Sequence, residues 1–305
     1  MEMFYIFGFI ALLAAIFKII ILYQVVTDSP LTSALNLLVI ALIAQNCFEF
    51  LGYLTYASDT VFSGYMVDGV LISMYAVGAS VVMLVMRVCQ ISSGKLISSV
   101  FAGLAGLLVV LHASGLIVSG YSQVGYTIIS EEGPLYALFS LYLLSVVGLA
   151  LVTLIRSRHS KVREIRDRSR VTLMAIAPLC LVAVGVIGFR AIGFNSSSAL
   201  AMPFASTLFV WVLMIDERGD YLRFKLKWTV LTKLALRASD IKLSSWNMLI
   251  EKMLIEEAMR VCHNNKSEAA RLLGLNKTTF HRKAERYAPV PENSTLATAN
   301  LQVID

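Results

Sequence analysis

The residues best able to do chemistry stand in two sets. The first is Asn276, Lys277, Thr279, His281 and Arg282, gathered in one short segment, with Lys266 and Ser267 shortly before it. Cations and hydroxyls at such spacing can grip phosphate groups. The second set is Glu49, Asp68, His112 and Arg190, ionisable side chains embedded in long apolar stretches. Charge inside an apolar span is expensive, which makes each of these a candidate site by default.

The first set has to be positioned by helices. From Ser245 to Cys262, Met248, Leu249, Met253, Leu254, Ala258, Met259 and Val261 recur near the helical period, with Glu251, Lys252, Glu256, Glu257 and Arg260 between them. Asn265 is a good N-cap for a second helix, whose packing face is predicted as Ala269, Ala270, Leu272 and Leu273. Gly274 is placed to end it in a left-handed conformation. Asn276 then caps a third helix, Lys277–Tyr287, in which Phe280, Ala284 and Tyr287 face inward. Lys277, Thr278, His281, Arg282 and Glu285 therefore face outward.

This pattern, Asn265, Ala269-Ala270, Leu273-Gly274-Leu275-Asn276, Thr279, Arg282-Lys283 and Tyr287, resembles the Fis-type helix-turn-helix found at the C-terminus of NtrC-class activators. The likeness covers about Trp246 to Pro289. It implies base contacts from Asn276 and Lys277, phosphate contacts from Thr279, His281 and Arg282, and a backbone contact from Ser267 beside Lys266. It also implies a two-fold dimer on double-stranded DNA. His281 stands where the Fis type carries an arginine, and Glu268 and Glu285 stand where it is basic, which implies weaker nonspecific binding. NtrC-class proteins place an ATPase before this module. Here no G-x-x-x-x-G-K-[ST] occurs, since Ser93-Gly94-Lys95 lacks the upstream glycine.

The rest of the chain has a different composition. Of 305 residues, 57% are hydrophobic and 15% charged, with a mean hydropathy of +0.74, values that mark an integral membrane protein. From Asp216 onward lie 15 of the 26 Lys and Arg and 11 of the 20 Asp and Glu, so a soluble tail follows an apolar body. Stretches of about 20 apolar residues fall near Phe4–Tyr23, Leu31–Leu54, Val67–Met86, Leu96–Ser119, Leu135–Ile155, Val171–Gly193 and Ala199–Ile215. The first is read as a retained span, because Met1-Glu2-Met3 lacks the basic start of a signal peptide.

Arg156, Arg158, Lys161, Arg163, Arg166, Arg168 and Arg170 follow the fifth stretch, and Arg87 and Lys95 follow the third. The positive-inside rule puts both segments in the cytoplasm. The N-terminus is then periplasmic, and the C-terminus shares the cytoplasm with the DNA. Cys47, Cys89, Cys180 and Cys262 form no C-x-x-C, and no structural disulfide, metal site or cofactor is expected.

By this topology Glu49, Asp68 and Arg190 lie toward the outer leaflet. Arg190 can pair with either carboxylate, or the three can line an outward pocket for an unknown small molecule or membrane signal, with His112 or Asn46 beside them. Gln45 and Glu49 share a helix face and can bond each other. Lys18, near the inner end of its span, is expected to snorkel to the headgroups. Gly103, Gly106, Gly185 and Gly188 are expected at close helix crossings.

From Leu135 to Tyr221 the layout of spans and Arg-rich loop is similar to the seven-transmembrane sensor region of some bacterial histidine kinases. His112, His159, His263 and His281 have no phosphoacceptor context, however, and the tail is too short for a kinase domain. A retinal protein needs a lysine in the last span, which Ala199–Ile215 lacks. A transporter shows a broken helix pair or inverted repeat, and neither is evident.

The sequence therefore reads as all-α and non-enzymatic. It comprises a seven-transmembrane-helix bundle over 1–215, a basic juxtamembrane linker over 216–244, a cytoplasmic Fis-type domain over 245–289 and a disordered tail over 290–305. Its expected partners are double-stranded DNA, the lipid bilayer of the bacterial inner membrane and a second copy of itself. A membrane tether for DNA or partner proteins and a transporter with a regulatory tail are the alternatives.

Overall fold

Long runs of Leu, Ile, Val, Ala and Phe without charge favour continuous helices, and the computed structural model contains them. It describes residues 2–24, 29–55, 60–124, 127–193, 201–215, 246–262 and 264–287. The chain divides into two units, Met1–Arg223 and Phe224–Asp305.

The first unit is built from α1 (Glu2–Gln24), α2 (Pro30–Thr55), α3 (Thr60–Val88), α4 (Gly94–Ala113), a hairpin of β1 (Val118–Val124) and β2 (Thr127–Glu132), α5 (Tyr136–Ser157), α6 (Arg163–Ala191) and α7 (Ala201–Ile215). Helix α3 is central: it packs on α2, α4, α5, α6 and β2, while α1 and α6 each pack on α7. Six of these helices, α1 to α6, are long and apolar enough to cross a membrane. Helix α7 is apolar but has 15 residues, about 22 Å at 1.5 Å per residue. Six described helices thus meet the length that was expected of seven.

Three further expectations need correction. The fourth stretch, expected to run helical to Ser119, ends at Ala113, and Gly115 turns the chain at φ +72° into the β1–β2 hairpin. The first unit is therefore mostly helical rather than all-α. Its strands pair antiparallel from Val118↔Glu132 to Val124↔Thr127, with an irregularity near Gly120. Helix α6 starts at Arg163 rather than Val171, because Glu164–Arg168 at 2.7 Å and Arg163–Asp167 at 3.6 Å form i,i+4 pairs that extend it beyond its apolar part.

The close helix crossings also lie elsewhere. At Gly103, Gly106, Gly185 and Gly188 an added Cβ would meet open space. At Gly69 it would overlap the Phe48 ring, and at Gly78 it would sit 2.9 Å from the Tyr142 ring. The tight contacts are thus α3 against α2 and α3 against α5.

The second unit contains α8 (Trp246–Val261), α9 (Lys266–Leu272) and α10 (Lys277–Tyr287). Each packs on the other two around a core of Ile255, Ala258, Cys262, Ala269, Ala270 and Phe280, with Met259, Leu273, Leu275, Ala284 and Tyr287 against it. The expected face of α8 holds in part: Met253 and Ala258 are buried and Met259 packs on the core, whereas Met248 and Val261 are exposed and Ile255 and Cys262, which were not expected, complete the i, i+3, i+4, i+7 stripe. The expected juxtamembrane linker and C-terminal tail lie outside the described residues.

Candidate functional site

Local hydrogen bonds set the geometry of the second unit. The Asn265 side-chain oxygen accepts from the amides of Ser267 at 3.2 Å and Glu268 at 3.3 Å, so it caps α9 as expected. Asn264 before it takes φ 64°, and Gly274 after α9 takes φ +67°, the left-handed turn a glycine adopts without strain. The Asn276 carbonyl accepts the Phe280 amide at 2.9 Å, and its side chain accepts the Thr278 hydroxyl at 3.3 Å. Leu272, expected in the core, is 48% exposed; Leu273 packs there as expected, and Leu275 joins it.

Phe280 is fully buried, and it fixes which face of α10 looks outward. Lys277, Thr278, Arg282, Glu285 and Arg286 are exposed, while Thr279, His281 and Lys283 are half-buried. Ser267 and Asn276 are also exposed, and Lys266 is half-buried. Lys283 turns back to α8, where it donates to Glu251, and Tyr287 donates to the same carboxylate at 3.0 Å. Those two bonds hold the Glu251 carboxyl below the usual range, whereas burial and the nearby carboxylate push the Tyr287 hydroxyl up. Lys283 thus locks α10 onto α8, and Lys277, Arg282 and Arg286 present the outward positive charge. Arg286 and the Glu251 clamp escaped the sequence reading. The clamp pairs residues 32 positions apart, beyond any local pattern.

The ionisable residues of the first unit separate into two groups. Asp68 on α3 accepts from His112 on α4 at 2.8 Å and from the Tyr121 hydroxyl of β1 at 2.5 Å. The other nitrogen of His112 lies 3.0 Å from the Tyr75 hydroxyl, and Tyr142 donates to the Tyr75 carbonyl at 2.9 Å. The chain Tyr75–His112–Asp68–Tyr121 ties α3, α4 and the hairpin together. In place of a pairing between Arg190 and Asp68, the Arg190 guanidinium donates to the Tyr136 hydroxyl at 2.5 Å and lies 5.2 Å from that ring's centre.

The second group surrounds Glu49. A cavity of about 100 Å³ lies between α2, α3, β2, α5 and α6, and Glu49 and Arg190 both line it. Asp68, His112 and Asn46, which were expected beside them, are not in its wall. Gln45 stands close enough to Glu49 on their shared helix face to interact with its carboxyl, as expected, although neither carboxylate oxygen of Glu49 nor either side-chain polar atom of Gln45 meets full hydrogen-bond geometry. Lys18 is 0% exposed rather than snorkelling, and donates to the Ala14 carbonyl and to Thr207 of α7, each at 3.2 Å. Its charge interacts with that of Glu49. Among the described residues no group of His, Cys, Asp and Glu is arranged to hold a metal.

A three-helix unit with a glycine turn before an exposed basic helix defines a helix-turn-helix. Its type follows from the sequence: residues 249–287 match the family described as Bacterial regulatory protein, Fis family. Residues 249–287 are therefore a Fis-type helix-turn-helix, which suggests a DNA-binding regulator. Neither a curated protein nor a solved structure matches the chain significantly, so the likeness of the apolar unit to kinase sensors gains no support.

Proposed function

We propose that this chain is a membrane-anchored one-component transcription regulator, in which the apolar helical unit senses a signal and the helix-turn-helix binds DNA as a dimer. One observation carries the reading. Six helices long and apolar enough to span a bilayer share a chain with a Fis-family helix-turn-helix, and Lys277 and Arg282 of its third helix are exposed. Asn276 and Lys277 reach base edges, while Thr279, His281, Arg282, Ser267 and Lys266 hold the phosphate backbone.

Topology is part of the proposal. The Arg-rich start of α6 and the helix-turn-helix must both be cytoplasmic, which requires α7 to recross the membrane after α6. Its packing on α1 and α6, together with the Lys18–Thr207 bond, supports α7 as a member of the bundle. The N-terminus is then periplasmic. A short span of this kind is accommodated by local thinning of the bilayer or by flanking residues.

The test is chromatin immunoprecipitation of the tagged chain against a Lys277→Ala, Arg282→Ala variant. Discrete peaks near promoters that vanish in the variant are expected. Shallow coverage across the genome would instead favour a tether without regulation. In vitro, each substitution should weaken binding about tenfold, and losing Arg282 should lower the salt dependence by about one phosphate contact.

A further inference from the structure

Three side chains in the wall of the first unit's cavity still have hydrogens to give. The wall is mostly hydrocarbon, including Val70, Leu71 and Leu143, and Ser130, Tyr136 and Arg190 belong to it. An apolar enclosure with a few convergent polar groups is the usual make-up of a small-molecule site. Ser130 on β2 is 4% exposed, and its hydroxyl makes no hydrogen bond among the described residues. Its oxygen, unlike those of Glu49, is not sealed from every side. Tyr136 is 8% exposed, and its hydroxyl oxygen accepts from Arg190 at 2.5 Å. The phenol proton is left to donate, and it has no acceptor among the described residues. Buried polar groups are almost always hydrogen-bonded, so two buried hydroxyls with unused hydrogens on one cavity wall ask for an acceptor from outside the protein.

The chemistry of that acceptor follows from the third group. A guanidinium carries five N–H donors and a permanent charge, so the bond from Arg190 to Tyr136 uses only part of what it can give. Of the charges that reach Tyr136, Arg190 acts more strongly than Glu132, whose side chain is exposed. Glu49 belongs to the same wall, but Lys18 and Gln45 act on it, so its charge is answered within the protein. A carboxylate only accepts, and it matches a cation and two hydroxyls with charge-assisted bonds. An ammonium meets a like charge at Arg190, and an alcohol leaves that charge unanswered. The cavity's volume, about 100 Å³, is roughly two-thirds of the engineered void of ~150 Å³ that holds benzene, so it takes about four carbons. In a space this small one molecule meets all three groups, while its hydrocarbon gains by leaving water for the apolar wall.

We infer that this cavity binds a short-chain apolar carboxylate, with its carboxylate on Ser130, Tyr136 and Arg190 and its hydrocarbon against the apolar wall that includes Val70, Leu71 and Leu143. As the bound signal, it rests on the reading of the apolar unit as the sensing part.

The test uses the full chain in nanodiscs of zwitterionic lipid, with empty nanodiscs as reference and butanoate, butan-1-ol and butylamine as probes, followed by saturation-transfer NMR. Butanoate should bind saturably, and about tenfold more tightly than either other probe, the factor expected for one charge-assisted hydrogen bond. Arg190→Gln should weaken butanoate about tenfold and leave butan-1-ol nearly unchanged. Ser130→Ala should weaken butanoate about fivefold, the loss of one ordinary hydrogen bond. That substitution removes no side-chain bond made among the described residues, so it keeps the test open should Arg190→Gln fail to fold. Leu143→Trp should fill the cavity and abolish binding. Non-saturable uptake, butan-1-ol or butylamine binding as tightly as butanoate, or a butanoate affinity unmoved by any one of the three substitutions would overturn the inference. The same samples are titrated with DNA recovered by immunoprecipitation of the chain. If butanoate binds at Ser130 and Arg190 and DNA affinity does not move, the site stands as a binding site and its role as signal fails. If DNA affinity responds to another stimulus while butanoate does not bind, the sensing reading stands and the site fails.

Discussion

Each unit buries a glutamate almost completely, and the two are served differently. Glu257 on α8 is 3% exposed and accepts from the Arg260 Nη2 and Nε at 2.5 and 3.0 Å, one turn along the same helix. Glu49 on α2 is 5% exposed, and neither of its oxygens has a hydrogen-bond partner. The C-terminal unit answers this buried charge within one helix, as a small domain of three short helices must. The apolar unit contains both conditions: a closed chain at Asp68 and His112, and at Glu49 a carboxyl outside full hydrogen-bond geometry. Closure marks groups that hold the fold, whereas Glu49 rests on its interactions with Lys18 and Gln45.

The sharpest test of the self-contained side is Phe280→Ala. This ring is fully buried at the centre of the three-helix core, and its loss should cost about 3–5 kcal/mol. Hydrogen exchange of the full chain should show α8 to α10 losing protection together while α1 to α6 keep theirs. Uniform loss across both units would contradict the division of the chain at Arg223 and Phe224.

Next in size is the contrast within the apolar unit. His112→Leu takes from Tyr75 its hydroxyl's partner and leaves Asp68 with Tyr121 alone, and should lower stability in detergent by about 1–3 kcal/mol. Glu49→Gln keeps the shape of the side chain and removes chiefly its interaction with Lys18, so its effect should be the smaller of the two. Thermal unfolding of the two variants decides the matter, and equal losses would erase the distinction between the closed chain and Glu49.

The smallest effect belongs to the clamp between α8 and α10. The Glu251 carboxyl is held below the usual range by its bonds from Lys283 and Tyr287. A depressed carboxyl stabilises the fold above its unfolded value of about 4.3, and the contribution is lost as pH falls through the lower folded value. Solvent reaches this pair, so the gain is about 0.5 kcal/mol. Glu251→Gln should therefore be slightly less stable than the parent at pH 7 and equal to it at about pH 2. A gap unchanged across that range would show that the clamp does not act through charge.

The sequence disclosed the helix-turn-helix nearly residue by residue, because its signals are local. The Asn265 cap, the Gly274 turn and the bounds of Lys277–Tyr287 each depend on neighbours a few positions away, and each recurs in the fold. The hairpin left a fainter trace, a few branched and aromatic residues alternating with polar ones in Val118–Val124. Length and hydropathy located the apolar helices, but an all-apolar helix has no preferred side to reveal. That is why the glycines at real crossings, Gly69 and Gly78, could not be told from Gly103 and Gly106.

Residue types and short-range periodicity were thus enough to determine that an apolar helical body precedes a DNA-binding module, and which ionisable residues the body contains. Only the tertiary structure decided how those residues are shared out: Asp68 to His112 and Tyr121, Arg190 to Tyr136, and Lys18 to Thr207 and Glu49. The reason is physical. A buried polar group pairs with whatever the packing of distant helices brings within hydrogen-bond reach, and that reach is a distance in space that sequence separation does not encode.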